Sequence, residues 1–267
     1  MKSKQVTVIL PVHEITDQVE KWFPLSIQSI NEQKELPSSV LVVCPKEISS
    51  KLEKLLTNEN NSNIKNILKF LINDTGNYGF CDQINFGVSN CDTEYFSYLE
   101  YDDEYSKIWF KNVNRYISAY PEVDVFLPLI VETDPLGNFM SFTNEPVWAK
   151  DFSEELGMVD NSILQNFANF NIAGMVVKKD KFVSLGQLKQ NVKLTFMYEF
   201  LLRLSHYDSK IMVIPKMGYR HTNQREGSLF VEYQSSMSQD EAKFWFNSAK
   251  KEYYFKENDR KITYDAI

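Results

Sequence analysis

Glycine and proline are scarce in this chain of 267 residues, at 9 each. Collagen-like and low-complexity architectures are excluded, and few positions are obliged to turn. Cysteine is scarcer still. Cys44, Cys81 and Cys91 are odd in number and lack the paired spacing of a metal site, so they read as reduced thiols in a cytosolic protein. No run approaches the ~18 apolar residues of a membrane span. Met1–Gln5 leads directly into Val6–Val12, a run that carries Thr7 and Pro11 and has no small-residue cleavage site after it. It does not read as a signal peptide. Basic charge is also short: Lys+Arg is 29 against Asp+Glu 36, a net charge of -7. That balance excludes a general nucleic-acid binder. It also leaves any phosphorylated ligand in need of a metal ion.

Core material is abundant. Hydrophobic residues are 43% and aromatic residues 14% of the chain, which excludes disorder. At roughly 100–200 residues per domain, the length predicts one large domain or one with an appendage. The first half alternates strand and helix signals. Val6–Val12 reads as a buried strand, because its apolar residues are continuous, and Val40–Cys44, Ile67–Ile72 and Tyr95–Leu99 read as three further strands. Between them, Val19, Phe23, Ile27 and Ile30 recur at helical spacing, with the helix start placed near Pro24. Ile48–Leu56 and Phe80–Ser89 also read as helices, and Thr57–Asn63 as an Asn-rich loop. Strands separated by helices predict a mostly parallel sheet covered on both faces.

The second half is less regular. Ile108–Tyr120 and Leu194–Leu204 read as helices, and Val123–Val131, Asn171–Val177 and Ile211–Ile214 as strands. Glu132–Asn169 reads as a long irregular insert, the kind of segment that carries function. Ser238–Glu241 fits a capping box before a final helix to about Lys256, with Phe244, Trp245, Ala249, Glu252 and Tyr253 on one stripe. The expected organisation is a body over 1–230 and a C-terminal helical extension over 231–267 that packs back on it.

The most informative segment is Leu99-Glu100-Tyr101-Asp102-Asp103-Glu104, with four acids in five residues directly after an apolar strand. Open α/β sheets bind ligands at the carboxyl ends of their strands. Carboxylates placed there suit a hard divalent cation that neutralises a substrate diphosphate. The alternative is a solvated acidic turn.

Several pieces, in order, resemble the GT-A glycosyltransferases of the family-2 type. Val6–Glu14 looks like that family's first strand and nucleotide-contacting loop. Ser29-Ile30-Asn31-Glu32-Gln33 resembles its Ser-aliphatic-x-x-Gln helix end, and Asn85-Phe86-Gly87 its Asn-x-Gly. Leu99–Asp103 resembles Leu-Asp-x-Asp-Asp with Glu in place of the first Asp. Asn171–Gly174 through Phe182–Gly186 resembles the strand and turn that face the acceptor. The resemblance implies a GT-A (Rossmann-like) sheet and a donor that is a nucleoside-diphosphate sugar. It also implies a glycan or other hydroxyl acceptor, a Mn²⁺ or Mg²⁺ cofactor, and transfer with inversion. Pro11, His13 and Glu14 would lie by the base and ribose, and Glu100 by the ribose or metal. Asp102 would ligate the metal, and Asp103 would be a second ligand or an orienting residue. His221, in Tyr219-Arg220-His221, resembles a late Tyr-x-x-His segment, here one residue shorter, whose imidazole completes a metal site; otherwise it is an exposed loop histidine. Arg220 and Arg225 would pair with the diphosphate or lie on the surface. His206 sits at a helix end, where the helix dipole favours a cation.

The chain also departs from the pattern. Inversion needs a general base, and the family carries Glu-Asp ahead of the helix that ends in Arg. Aligned on Arg203, those places hold Phe196 and Met197. Glu199 is the nearest carboxylate, about 200° around the helix from the usual Asp, and an i,i+4 pair with Arg203 is as good a reading. Asp151, Glu154, Glu155 and Asp160 are further acids in the irregular segment. Cys44-Pro45 stands where an Asp often reads uracil, and Ile84 where a Lys or Arg often precedes Asn-x-Gly. These departures motivate a second reading: a non-catalytic GT-A-like protein that binds a nucleotide-sugar or a partner. No Gly-rich phosphate loop follows the first strand, which argues against a nucleotidyltransferase or a dinucleotide enzyme.

Overall fold

A computed structural model of the protein describes residues 6–145, 157–166, 169–223 and 236–253. Its centre is one curled sheet flanked by helices. Four strands, β1 (Val6–Pro11), β2 (Ser39–Cys44), β3 (Leu68–Ile72) and β4 (Tyr95–Tyr98), pair in parallel in the order β3-β2-β1-β4. β5 (Glu104–Tyr105), β6 (Val125–Thr133), β7 (Phe139–Thr143), β8 (Met158–Val159), β9 (Val176–Lys178) and β10 (Ile211–Thr222) complete it. Beyond β4 the order continues β9-β6-β10-β5, with β7 on β6 and β8 on β10. β9 is antiparallel to both β4 and β6, and β10 is parallel to β6. Hence β1–β4, β6 and β10 all run one way, and their carboxyl ends share one edge.

The period of two along each strand sorts side chains onto two faces. Val6, Val8 and Leu10 of β1 join Val40 and Val42 of β2 in one core, while Ile9, Leu41 and Val43 join the other. α1 (Asp17–Asn31), α2 (Lys46–Lys54) and α5 (Trp109–Ala119) cover the first face. α4 (Phe80–Ser89), α6 (Asn161–Asn166), α7 (Lys179–Ser184), α8 (Phe196–His206) and α9 (Gln239–Glu252) cover the second. Ser238 caps α9 by accepting the Glu241 N–H at 3.1 Å. Ala249 and Tyr253 enter the core there, whereas Phe244 is 61% exposed. The three cysteines are buried free thiols. No helix among the described residues is long and apolar enough to cross a membrane.

Several elements differ from the sequence expectations, each for a local reason. α1 begins at Asp17, capped by Thr16, and Pro24 lies inside it. An interior proline costs about 3 kcal/mol. Val19, Phe23, Ile27 and Ile30 are all essentially buried, and each returns about 1.5–3 kcal/mol, so burial carries the helix through the proline. The expected Asn-rich loop contains α3 (Asn58–Asn61), a single turn held by reciprocal Thr57–Asn60 capping. Asn171–Met175 is not strand. The Asn171 side chain accepts the Ala173 N–H at 2.8 Å, and Gly174 is left-handed at φ +69, so pairing starts only at Val176. β10 runs eight residues past the expected end at Ile214, because register shifts around Met217 absorb the two breakers, Pro215 and Gly218. The irregular insert supplies β7, β8 and α6, with 146–156 and 167–168 outside the described residues.

The Pro24→Ala variant restores an N–H to α1 without enlarging the side chain. It is expected to raise stability by about 1–3 kcal/mol, read as a higher urea midpoint at unchanged slope. An unchanged or lower midpoint would show that the ring's packing outweighs the lost hydrogen bond.

Candidate functional site

The chain leaves β4 at Tyr98 and turns sharply, with the Asp103 N–H donating to the Glu100 carbonyl at 3.2 Å. It then forms β5, which pairs antiparallel with the end of β10: Glu104 opposite Arg220, and Tyr105 opposite Tyr219. The next rung of that ladder sets Asp103 beside His221. Nδ1 of His221 lies 3.4 Å from an Asp103 carboxylate oxygen. The other Asp103 oxygen accepts the Thr222 N–H at 3.0 Å. Glu100, Asp103 and His221 each offer one ligand atom within 4.8 Å of the others. His221 therefore belongs to a strand rather than to a loop. Asp102 is buried next to this group but is not one of its three members.

Much of the surrounding structure serves to hold the turn. The Ser26 hydroxyl on α1 donates to the Asp103 carbonyl at 2.6 Å and approaches the Glu100 carbonyl at 3.1 Å. The Ser29 hydroxyl accepts the Tyr105 N–H at 3.1 Å. Gln33 donates to the Ser29 and Ser106 carbonyls and accepts from the Phe110 N–H. The Ser29–Gln33 motif is thus a clamp on the backbone behind the acids. The Tyr219 hydroxyl accepts the Glu100 N–H at 3.2 Å, and its ring fills the space that a Cβ on Gly174 would need. Burial pushes the phenols of Tyr98 and Tyr219 well above their ordinary range, so they stay neutral beside the carboxylates.

Burial alone would lower the pKa of His221. The Asp103 charge and hydrogen bond, followed by the charges of Glu100 and Glu132, outweigh burial and push it up to about 10. Glu132 was missed in the sequence because it sits at the edge of the irregular insert. It lies opposite His221 in the β6–β10 register and accepts from Thr143 at 2.7 Å and Asn223 at 2.8 Å. Ser26 and Tyr219 were missed too, since single hydroxyls far apart in the chain give no local pattern.

The other expected residues are spread along the same edge. Pro11 is buried at the end of β1, opposite Val43. His13 and Glu14 follow it, both exposed and 3.5 Å apart. Leu99 N–H donates to the Ile9 carbonyl, so the ends of β1 and β4 are adjacent. Glu104 pairs with Arg220 at the surface. Cys44 is buried and its thiol is pushed up to about 11 by desolvation. Arg225, Asp151, Glu154 and Glu155 lie outside the described residues. Asp160 accepts the Ile163 N–H at the start of α6.

Glu199 is 2% exposed and both its oxygens are engaged. Arg203 binds it in bidentate fashion at 2.9 and 3.0 Å, Lys189 lies 3.0 Å away, and the Tyr253 hydroxyl donates at 2.8 Å. The i,i+4 pair read from the sequence is present, within a larger buried network.

Residues 7–264 match the family described as glycosyltransferase like family 2. The chain belongs to that family. Solved structures of S. aureus TarS share its fold. TarS 1–349 with UDP-GlcNAc has a TM-score of 0.62 at 18% identity, covering 85% of this chain and 60% of that one. TarS 1–349 with UDP gives 0.59 at 15% identity, covering 88% and 73%. Longer TarS gives 0.59 at 17% identity, and the chain spans only 36% of its length. No curated protein matches the sequence. Other motifs that resemble the family's now have physical roles. Asn85 exchanges two hydrogen bonds with the Leu188 backbone, at 2.9 and 3.1 Å, and so ties α4 to the segment after α7. Gly87 lets α4 lie directly on Ile9.

Two carboxylates and an imidazole form a donor set that suits Mn²⁺, and the carboxylates alone suit Mg²⁺. With no metal, His221 is a cation at neutral pH. Its folded pKa is raised, so its stabilisation is fully present below about pH 6.5 and is lost as pH climbs toward about 10. Histidine-ring NMR of the metal-free protein should show this midpoint; a midpoint at or below 6.5 would remove the Asp103 pair. Gly174→Ala forces a left-handed residue against Tyr219 and should cost about 2–4 kcal/mol in urea unfolding. A cost below about 0.5 kcal/mol would show that Tyr219 yields freely.

Proposed function

We propose that this chain is a metal-dependent glycosyltransferase that moves a sugar from a nucleoside-diphosphate donor to a hydroxyl acceptor with inversion. The observation that carries this reading is the convergence of Glu100, Asp103 and His221 at the carboxyl edge of a family-2 sheet. On this reading Glu100, Asp103 and His221 hold the Mn²⁺ or Mg²⁺, with Asp102 beside them. The bound cation would supply positive charge for a diphosphate that the acidic chain otherwise repels. Pro11, His13 and Glu14, on the adjacent strand end, face the nucleoside. We take uridine as the working nucleoside because the TarS neighbour was solved with UDP-GlcNAc.

In the transfer the acceptor oxygen attacks the anomeric carbon, the bond from that carbon to the phosphate oxygen breaks, and the nucleoside diphosphate leaves. The acceptor proton must go to a base. Glu199 is a poor candidate, because its lone pairs are already committed to Arg203, Lys189 and Tyr253. This supports the second reading, in which the same edge binds a nucleotide-sugar without turning it over. We further read the protein as cytoplasmic, in keeping with three buried free thiols, and as a body over 1–230 with a C-terminal extension over 231–267, whose described helix α9 lies against α8.

A thermal-shift titration with UDP, with and without Mn²⁺, tests the binding half. A ligand at a hundred times its Kd stabilises the native state by about 2.7 kcal/mol, so UDP should raise the melting temperature by several degrees only when Mn²⁺ is present. Asp103→Asn should erase the shift, whereas Asp102→Ala separates a direct ligand from a neighbour by the size of its loss. A UDP shift of equal size without metal, or none with any nucleoside diphosphate, would sink the reading. Turnover of UDP-GlcNAc then divides the transferase from the silent binder.

A further inference from the structure

The network around Glu199 does not end at α8. Tyr253, at the end of α9, donates its hydroxyl to Glu199 at 2.8 Å and also meets Lys189 at 3.1 Å. Its backbone carbonyl accepts from Asn161 at 3.1 Å, and His206 packs on its ring. Arg203, the partner of Glu199, reaches the Leu185 and Gln187 carbonyls. Hence one buried carboxylate ties the final helix to both ends of the segment 185–189. That segment continues into a 3-10 turn over Gln190–Thr195. There the Gln190 amide meets the Asp82 carboxylate and covers Gly79, in the first turn of α4. Phe80, next to Gly79, stacks edge-on against Tyr98 at 5.6 Å and packs on Phe196 at 5.7 Å. Tyr98 lies two residues before Glu100. A chain of contacts therefore runs from α9 to the turn that carries the acids.

Glu199 and Arg203 are not needed for core volume. A leucine at 199 and another at 203 would fill the same space without the cost of burying charge. The charges instead fix the course of an irregular backbone, by giving two of its carbonyls and one lysine a defined partner. Under-hydrogen-bonded loops open locally unless such partners hold them.

We propose that Tyr253 is a positioning residue: acting through Glu199, it holds the segment 185–195 in place against the first turn of α4, at the carboxyl edge read above as the donor site. The inference rests on the reading of the carboxyl edge as the donor site. It makes the final helix part of the site's architecture and gives Glu199 a role other than proton acceptor.

The test uses the full chain and the variants Tyr253→Phe and Glu199→Gln. The first removes one hydroxyl and keeps the ring. The second keeps size and hydrogen bonding but removes the charge. Hydrogen exchange is followed by mass spectrometry alongside UDP binding with Mn²⁺ and hydrolysis of UDP-GlcNAc. For Tyr253→Phe, amide exchange over 185–195 should speed up about tenfold, with β1 and β4 unchanged. UDP affinity should stay within about twofold, and kcat for hydrolysis should fall about tenfold at constant donor KM. Glu199→Gln should give the same pattern at larger amplitude. Unchanged exchange over 185–195 in both variants overturns the proposal. So does faster exchange everywhere with UDP binding lost in parallel, which is the signature of a merely structural role. If the unmodified protein neither binds UDP nor hydrolyses UDP-GlcNAc, the donor-site reading fails, while the exchange pattern still decides whether the segment is held by Tyr253.

Discussion

Two rungs of antiparallel pairing, Glu104 with Arg220 and Tyr105 with Tyr219, hold the acidic turn after β4 against the end of β10. Without them the four acids after β4 would be a mobile turn whose members repel one another. With them, Asp103 is placed against His221 and Thr222, and Glu100 is held from behind by the Tyr219 hydroxyl. A slip of one residue in this ladder would turn His221 to the far side of the sheet. The pairing is short, so it needs outside support. Ser26, Ser29 and Gln33 on α1 provide it, through hydrogen bonds to the backbone on both sides of β5. The site is therefore assembled from strand ends but fixed by a helix that carries none of Glu100, Asp103 and His221.

That division explains which parts could be read from the sequence. Continuous apolar runs announce β1, β2 and β4, since a central parallel strand is buried on both faces and needs no polar alternation, while β3 at the sheet edge is only half-buried. The acids after β4 were visible as a cluster, and their place at the carboxyl edge followed from the strand order. Pro24, Pro215 and Gly218 misled for one common reason. Each is a local breaker, and in each case tertiary burial or a bulge overrode it. Asn171–Met175 misled in the opposite direction: its apolar residues look like strand, but an Asn side chain and a left-handed glycine turn the chain. Contacts such as Tyr219 to Glu100 span 119 positions and leave no local signal.

Buried charge outside the acidic turn follows a rule of its own. Glu199 and Glu132 are each nearly inaccessible, and each is satisfied by neutral or cationic donors from different elements. Such pairs add little net stability, because desolvation offsets most of the attraction. What they add is direction. Glu132 ties β6 and β7 to Asn223, two residues after His221, and Glu199 ties α8 to α9 and the segment before it. Glu132 lies at a register shift in β6, and the partners of Glu199 reach the irregular segment 185–189, where apolar packing alone would tolerate several arrangements.

The acid excess acquires a meaning once it is placed in space. Where relatives of the resembled pattern carry a base before Asn-x-Gly, this chain has Ile84, and the nearby Asp82 is matched with Gln190. Arg220, adjacent to His221, points its charge at Glu104. The one cationic side chain facing Glu100 and Asp103 among the described residues is His221, and its charge is induced by those same carboxylates. A divalent cation arriving at this site would compete with the imidazole proton. Metal binding and proton release are therefore coupled: ligation by His221 needs the neutral ring. On the reading proposed above, the metal would supply the positive charge that a diphosphate needs at this turn, and loading it would release the His221 proton.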